Sequence, residues 1–369
     1  MRSVTGSAGP IHLGMDTSRD AIVVGILRPG EETPIVDRIF NDEPSIRRLV
    51  GRFPDPGVLR VCYEAGFGGY ALHRLFSSMG VDCQVIAPAL VPKGAGERVK
   101  TDRRDAIRLA RLHRAGELTA IRVPSAAEEA VRDLVRARAD LVEDRKRAKQ
   151  RIVAMLLRQG RVFREGAPWT AAHERWLSAQ RFDEPALAAT YAHYRAGLPA
   201  RVAELAAIEA ELWPWAHREP LAGSVARLVA YRGIGELIAL TLAAEIVDWR
   251  RFPTATAFMG FTGLTPSEYS SGTRIARGHI TKAGPVGVRT VLIEAAWKYH
   301  YQPAIRGDLR KRQAGASPAT LARSLAAQHR LCGKFRRMSG PGGKPGTVTV
   351  VAVARELAGF IWAEMTSQD

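Results

Sequence analysis

The first 123 residues alternate short β-rich runs with helical patterns, and this alternation constrains the fold more than any other feature of the chain. It is typical of α/β domains, in which helices cover a sheet. Four runs predict strands, at residues 11–15, 21–27, 58–63 and 81–86. Helical spacing predicts two helices, at residues 71–79 and 103–115. We therefore expect an α/β domain over residues 1–123, with the first two strands joined as a hairpin through Asp16–Ser18.

A helical pattern of about 30 residues follows, longer than an ordinary globular helix. Ser125 and Glu128 have the spacing of a capping box, which predicts where the helix begins. Its long apolar stripe suits a coiled-coil arm or dimer contact, but Arg138 and Arg145 interrupt the stripe. Packing within the same subunit is an equal alternative. We treat residues 124–222 as a helical, coiled-coil spacer.

Residues 223–369 predict a third, mostly helical domain. Its Tyr231–Gly235 segment lies between two apolar helical runs and contains Gly233 and Gly235. Two glycines in a turn between helices allow close approach to a phosphate, as in a helix-hairpin-helix that grips DNA backbone. The sequence therefore predicts a nucleic-acid contact at these glycines, although a G-x-G pattern alone is weakly specific.

The charge of the chain is strongly positive and concentrated. Lys and Arg number 54 against 37 Asp and Glu, a net charge of +17. Between Ser271 and Pro345 stand 15 Lys or Arg and only two acids, Glu294 and Asp308, so this segment supplies +13 of the total. Concentrated positive charge favours a nucleic acid over an acidic membrane or protein as the partner.

Cysteine usage and hydropathy exclude several classes of protein. The three cysteines, Cys62, Cys83 and Cys332, are far apart and form no C-x-x-C pair, so neither a disulfide framework nor a zinc site is indicated. The N-terminus has no apolar run like that of a secretory signal, and no run reaches the roughly 18 uncharged apolar residues of a membrane helix. We expect a cytoplasmic protein without a membrane partner.

Four acids are candidates for a metal centre. Asp16 and Glu64 end predicted strands, and Asp102 and Asp105 are three residues apart at the start of a predicted helix, so they share a helix face. Four carboxylates at one place would repel one another unless cations lie between them, and Mg²⁺ binds carboxylate and phosphate oxygens together. Taken singly, acids at strand ends and helix starts are usually caps or solvated charges, and it is the combination that indicates a metal centre.

The order of these residues resembles a known family. Three segments are similar to the DEDD motifs of insertion-sequence transposases related to the Piv DNA invertases: residues 11–16, 63–66 and 100–106. The resemblance implies an N-terminal domain similar to RuvC, a junction resolvase with a ribonuclease H fold. Three later segments resemble the C-terminal transposase signature of the same family: residues 260–266, 269–272 and 280–284.

That signature implies a serine nucleophile. The serine before the glycine is Ser271, and its neighbour Ser270 stays open as an alternative. Arg274, Arg277 and Lys282 follow closely and could hold the scissile phosphate. Without the resemblance, a Ser-Ser-Gly turn would be the simpler interpretation.

The resemblance also implies how such a protein works. A Mg²⁺-dependent carboxylate centre on one domain would cooperate with a covalent serine on another, in a dimer or tetramer that pairs across subunits. A noncoding RNA from the element would choose donor and target DNA. This would explain why so basic a chain carries no base-reading motif such as a zinc finger.

Three other functions are compatible with parts of the sequence. An actin-like or sugar-kinase-like ATPase could also begin with Gly14-Met15-Asp16, but no convincing later phosphate loop follows. A nucleic-acid-binding protein without catalysis would not need four acids and Ser271. A metal-dependent junction endonuclease that forms no covalent intermediate is the nearest alternative, and it would not need the serine signature.

Overall fold

A computed structural model describes residues 9–92, 101–272 and 274–368 of the chain. Lys100, part of the third DEDD-like segment, lies outside the described residues. The chain divides into two compact units, Met1–Val123 and Pro124–Asp369. The further division that we expect at residue 222 falls inside the second unit and stays a prediction.

The first unit is built on a five-stranded mixed sheet in the order β3-β2-β1-β4-β5. Its elements, in chain order, are β1 (Ile11–Thr17), β2 (Ala21–Leu27), β3 (Ile35–Phe40), α1 (Glu43–Val50), a 3-10 turn (Pro56–Val58), β4 (Leu59–Glu64), α2 (Ala71–Ser78), β5 (Asp82–Ile86), a 3-10 turn (Pro88–Leu90) and α3 (Asp102–Ala115). The first three strands form an antiparallel meander, and β4 and β5 extend it in parallel to β1. The expectation of an α/β unit is confirmed.

Strand β1 lies at the centre of the sheet, and alternate residues face opposite sides of it. Leu13 and Met15 are fully buried in the core on one face, which includes residues of α1 and α2. Gly14 is opposite Gly25 of β2 and Cys62 of β4. These three residues share the other face, which α3 covers.

Sequence patterns missed two elements of this unit. Strand β3 is mostly polar or exposed along its length, so its apolar alternation is weak. Helix α1 has only eight residues, but its local signals are clear: Asp42 caps Ser45 N at 2.7 Å and Pro44 stands in the first turn.

The predicted turn after the first strand is wrong by two residues. Strand β1 continues to Thr17, and Asp16 is opposite Val23 of β2 instead of lying in the turn. The turn is closed further along by Ser18, whose backbone N–H and hydroxyl both donate to Ala21 O, at 2.9 and 2.7 Å. Asp16 is therefore held on the sheet and its direction is fixed by the strand.

The second unit is mostly helical. Its elements, in chain order, are α4 (Ala126–Arg158), α5 (Ala171–Ala179), α6 (Pro185–Leu212), a 3-10 turn (Trp213–His217), α7 (Ala222–Leu228), α8 (Glu236–Ile246), α9 (Ala255–Phe261), β6 (Pro266–Glu268), β7 (Arg277–Ile280), α10 (Val286–Ala296), a 3-10 turn (Trp297–His300), α11 (Gly307–Arg312), α12 (Pro318–Ser339) and α13 (Gly346–Thr366). Helices α8, α10, α12 and α13 supply most of its core.

Helix α4 begins where the capping box predicts, because Ser125 and Glu128 satisfy each other's backbone N–H groups. It packs within its own chain. Arg136 forms a bidentate pair with Glu245 of α8, at 2.8 and 2.9 Å, and Arg138 pairs with Glu209 of α6. The coiled-coil contact between subunits stays a prediction.

Helix α13 is long and apolar enough to cross a membrane by length and composition alone. Within the second unit, however, its apolar residues Val353, Leu357 and Ile361 are fully buried. Its Glu364 is also fully buried, among cations of other helices. These contacts are those of a core helix.

Candidate active site

Asp16 and Glu64 lie next to each other at one end of the sheet. Gly14 is opposite Cys62 and Met15 is opposite Tyr63 in the parallel β1–β4 pair, so the same register brings Asp16 level with Glu64. The thiol of Cys62 contacts Leu109 O of α3 at 3.7 Å. Because side chains alternate along a strand, Asp16 and Glu64 belong to this same α3-covered face.

Helix α3 lies so close to the sheet that only glycine fits beneath it. A Cβ atom on Gly14 would lie 2.2 Å from Ala110 N, and one on Gly25 would lie 2.6 Å from Ala106 O. Further along, the ring of His113 meets that of His12, with centroids 5.1 Å apart. The helix therefore runs antiparallel to β1, and its N-terminus points toward the Asp16 end of the strand.

The two aspartates of α3 are thus carried to that end of the sheet, but in different environments. Asp102 is exposed in the first turn, which Thr101 caps by accepting from Arg104 N at 3.3 Å. Asp105 is only 6% exposed, and Arg108 donates to its Oδ1 at 2.8 Å. The hydrogen bond from Arg108 offsets part of the free-energy cost of burying this carboxylate.

The four acids suit Mg²⁺ in two respects. Carboxylate oxygens are ligands that this ion prefers, and the backbone carries all four acids toward the same end of the sheet. Their side chains are not gathered around one point. Within residues 9–92, 101–272 and 274–368, no group of three or more His, Cys, Asp or Glu is arranged to hold a metal ion. An ion bound by Asp105 would have to compete with Arg108 for its carboxylate.

Ser271 lies near the end of a β-hairpin in the second unit. Ser271 and Arg274 exchange both backbone hydrogen bonds, each 3.1 Å long, and form an isolated bridge beyond β6 and β7. Gly272, which follows Ser271, has φ +56°, a conformation that favours glycine. Ser271 is exposed, and its hydroxyl forms no hydrogen bond with any residue that the structure describes.

Ser270 has a different role in the hairpin. Its hydroxyl donates to Glu268 Oε1 at 2.8 Å and accepts from Ala276 N at 3.2 Å, so it links the two strands. The hydrogen bond from Ser270, followed by the charge of Arg277, lowers the pKa of Glu268. The Ser270 hydroxyl thus contributes to the structure of the hairpin through contacts with both of its strands.

The three predicted phosphate-binding cations are all exposed. Arg274 is directly opposite Ser271, whereas Arg277 lies 3.4 Å from Glu268. Lys282 has φ +55°, which is unusual for a residue with a side chain, and its backbone N–H donates to Gly263 O at 3.1 Å. Of the three, Arg274 is the cation nearest in register to Ser271.

Two glycines allow the chain segments at the base of the hairpin to pack closely against each other. A Cβ atom on Gly263 would lie 2.1 Å from Ala283 O, and one on Gly284 would lie 1.9 Å from Phe261 O. Arg289 adds a bridge by donating to Thr262 O and Ala283 O, at 3.3 and 3.2 Å. The segments 260–266 and 280–284 therefore act as one rigid support for the strands that carry Ser271.

The predicted glycine turn is only partly available to a ligand. Gly233 has φ +82°, and a Cβ atom on it would lie 2.3 Å from Ala295 O, so its freedom serves packing against α10. Gly235 faces open space at the N-cap of α8. A groove of about 580 Å³ surrounds both glycines, and its lining includes the cations Arg232, Lys298 and Lys311.

Sequence reasoning overlooked the residues that place the acids. Gly14 and Gly25 are glycines inside apolar strands, a signal that another backbone approaches closely there, although it does not say which element. Arg289 had no local signal, because its two acceptors lie in separate segments of the chain.

Two family models match the chain. Residues 13–159 match a DEDD transposase model of the IS110 type, and residues 225–307 match the model described as the IS116/IS110/IS902 transposase family. The first match contains Asp16, Glu64, Asp102 and Asp105, and the second contains Ser271.

Curated relatives agree with these models. The chain is 38% identical to y4qE of Sinorhizobium fredii, which carries a transposase name, over 98% of this chain and 94% of the relative. It is 28% identical to the transposase for insertion sequence element IS1533 of Leptospira borgpetersenii, over 89% of this chain and 96% of the relative. The transposase for element IS1111A of Coxiella burnetii is 28% identical over 64% of each chain. The chain therefore belongs to the IS116/IS110/IS902 family of transposases, enzymes that act on DNA.

Proposed function

We propose that this transposase cuts and rejoins the DNA strands of a mobile element through a covalent bond to Ser271. Asp16, Glu64, Asp102 and Asp105 would form the second part of the active site and bind Mg²⁺. The protein would work in the cytoplasm as a dimer or tetramer, guided by a noncoding RNA of the element. The guide RNA, the oligomer and a RuvC-like character of the first unit follow from the family resemblance.

The observation that carries this proposal is the contrast between Ser270 and Ser271. Both serines are exposed, but the hydroxyl of Ser270 is engaged by Glu268 and Ala276. The hydroxyl of Ser271 forms no hydrogen bond among the described residues, and Ser271 lies opposite Arg274. A nucleophile must reach its substrate, and a cation at the same place stabilises the negative charge of a phosphate in the transition state. The geometry therefore favours Ser271.

In the proposed step, the Oγ atom of Ser271 attacks the phosphorus of a phosphodiester. A new O–P bond forms while the bond from phosphorus to one deoxyribose oxygen breaks. The serine proton passes to solvent, and the departing sugar oxygen takes up a proton. Because one phosphodiester replaces another, the reverse attack by a sugar hydroxyl can rejoin DNA without ATP.

The four carboxylates would bind the metal ion that stabilises negative charge on the departing oxygen. Asp16 and Glu64 are level with each other at one end of the sheet, and α3 brings Asp102 and Asp105 toward that end. A bound Mg²⁺ lowers the pKa of bound water and neutralises charge on a departing oxygen. Arg108 holds the carboxylate of Asp105, and a bound cation would compete with it for the same oxygens.

The basic segment 271–345 would bind the nucleic-acid backbone. On α12, Arg336 and Arg337 are exposed beside Gly333 in an open groove of about 740 Å³. The turn at Gly233 and Gly235 would contribute a second set of contacts, since cations line its groove. Both surfaces combine glycine backbone with cations, which suits phosphate contacts, although Glu356 and Asp308 also belong to the two linings.

Trapping the protein on DNA tests the proposal. Purified enzyme is mixed with Mg²⁺, DNA containing the element ends and RNA transcribed from the noncoding flank, then digested and analysed by mass spectrometry. We expect a nucleotide adduct on Ser271 that Ser271→Ala abolishes and that Ser270→Ala reduces only through a loosened hairpin. Asp102→Ala should abolish recombination while DNA and RNA binding persist.

Other outcomes have clear meanings. An adduct on Ser270 would move the nucleophile by one residue. Strand exchange by Ser271→Ala at the full rate, with no adduct anywhere, would overturn the serine mechanism and leave a metal-dependent endonuclease. Full activity of Asp102→Ala would remove this aspartate from the reaction.

A further inference from the structure

The hairpin that carries Ser271 has two distinct faces. Ser271 is opposite Arg274, Glu268 is opposite Arg277, and Tyr269 N donates to Ala276 O at 2.9 Å. These pairs follow one antiparallel register. Directly opposite residues share a face, and successive residues alternate between faces. Tyr269, Ser271 and Arg274 therefore belong to one face, and Glu268, Ser270 and Arg277 to the other.

The second face is occupied by its own contacts. Ser270 donates to Glu268, and Arg277 lies 3.4 Å from the same carboxylate. These charges and hydrogen bonds hold the two strands together without any outside partner. This face therefore has little left to offer a substrate.

The first face presents three unused groups to solvent. Tyr269 is 82% exposed, and its ring makes no ring contact with any residue in the described ranges. Ser271 and Arg274 are exposed beside it. Isolated exposed aromatics are common on protein surfaces. This one differs because it shares its face with a serine and an arginine, which together suit one nucleotide.

We propose that Tyr269 is a positioning residue that stacks on a nucleobase of the DNA strand being cut. This inference depends on the proposed function, in which Arg274 holds the scissile phosphate at Ser271. Two residues along a strand span roughly 6.8 Å, which matches the reach from a phosphate to the base of the same nucleotide. Stacking tolerates any sequence because every base has a π-face.

A photochemical experiment tests the stacking directly. The probe is a single-stranded DNA oligonucleotide that contains 5-iodouracil, which is irradiated with the full-length protein and located by mass spectrometry. We expect a cross-link on Tyr269. The Tyr269→Phe variant keeps the ring and should keep the cross-link and the affinity within about twofold. Tyr269→Leu should lose the cross-link and weaken binding by about five- to tenfold, the lower end for base stacking.

A control aromatic is available in the same unit but outside segment 271–345. Trp213 is 38% exposed and lies outside the hairpin. Trp213→Leu should leave the cross-link on Tyr269 and the affinity unchanged. An oligonucleotide that is abasic at every position should bind Tyr269→Leu and the parent protein equally, because no base is left for the ring to stack on. A larger difference there would overturn the inference.

The experiment separates this inference from the nucleophile proposal. Ser271→Ala should keep the cross-link, since the hydroxyl takes no part in stacking. Cross-linking on Tyr269 without any adduct on Ser271 would contradict the proposal that Ser271 is the nucleophile. It would still support the contact between Tyr269 and a nucleotide. An adduct on Ser271 with no cross-link on Tyr269 would overturn the stacking. Loss of the adduct in Tyr269→Phe would show that the phenol does covalent chemistry, which also contradicts a positioning role.

Discussion

One carboxylate, Glu364, connects three helices of the second unit. It is fully buried and accepts hydrogen bonds from Arg227 of α7 at 2.9 Å, from Thr320 of α12 at 2.7 Å and from Arg323 of α12 at 2.6 Å. The Tyr231 hydroxyl adds a bond of 3.1 Å. A buried charge is tolerated when it is paired and fully hydrogen-bonded, as here.

The protonation of Glu364 should make stability depend on pH. Burial raises its pKa, but the hydrogen bonds from Arg323, Thr320 and Arg227 outweigh burial and lower the pKa from 4.5 to about 2. A lowered folded-state pKa gives stability that is present above the unfolded pKa. That stability, about 3 kcal/mol, is lost as the pH falls from about 4.5 toward about 2.

Urea unfolding at about pH 6 and about pH 3 checks this dependence. All seven tryptophans lie in the second unit, so their fluorescence reports its unfolding. Glu364→Gln should lower stability at the higher pH by about 3–5 kcal/mol and reduce the loss between the two pH values. Glu204→Gln breaks an exposed pair with Arg201 and should cost less than about 1 kcal/mol. An unchanged pH response in Glu364→Gln would contradict the assignment.

At the scale of elements, the packing of α3 against the sheet determines the positions of Asp102 and Asp105. The helix packs on the Gly14–Gly25 pair through Ala106 and Ala110, both fully buried. No side chain separates the helix backbone from the strands at that point. The position of Asp102 and Asp105 therefore depends on glycines that have no chemistry of their own.

Gly14→Ala should displace α3 and lower activity without removing a carboxylate. The added Cβ would lie 2.2 Å from Ala110 N, so the backbone of α3 would have to move away from the strand. We expect the free energy of unfolding of the first unit to fall by about 1–3 kcal/mol or more. Hydrogen exchange of peptides from β1 and α3 measures it, since the first unit has no tryptophan.

Gly51→Ala is the control, because Gly51 has φ −65° and its added Cβ would lie 3.4 Å from Arg47 O and 3.8 Å from Arg48 O. Its stability should change by no more than about 0.5 kcal/mol. Equal protection in Gly14→Ala and the parent protein would show that the helix tolerates a methyl group there.

At the scale of the whole molecule, the positive charge is only partly available to nucleic acid. Several cations of the segment 271–345 are used internally. Arg323 pairs with Glu364, Arg312 donates to Val229 O at 2.9 Å, and Arg330 and Lys334 pair with Glu356. The count of +13 therefore exceeds the number of phosphates that this segment can neutralise.

Salt dependence of binding measures the cations that remain. Affinity for a short DNA duplex should fall steeply with salt, with a slope near −0.9 per neutralised phosphate. The double variant Arg336→Ala, Arg337→Ala should make the slope shallower by up to about 1.8. Arg201→Ala removes an exposed cation outside the segment and should leave the slope unchanged. A slope that is the same in the double variant would exclude the α12 groove from the interface.

The amino-acid sequence determined the features that depend on neighbouring residues. The α/β class of the first unit, the order of its elements apart from β3 and α1, and the start of α4 at Ser125 follow from periodicity and capping. Family motifs added the four acids and Ser271 as candidates. These signals are local, because a hydrogen-bond cap or an apolar stripe is complete within a few turns of chain.

The tertiary structure alone decided which groups face one another. It set α3 on the Gly14–Gly25 pair, engaged Ser270 with Glu268 and left Ser271 opposite Arg274. It also assigned Arg323 to Glu364 and left Arg336 exposed. Such pairings depend on strand register and on contacts between residues distant in the chain, and no local pattern encodes them.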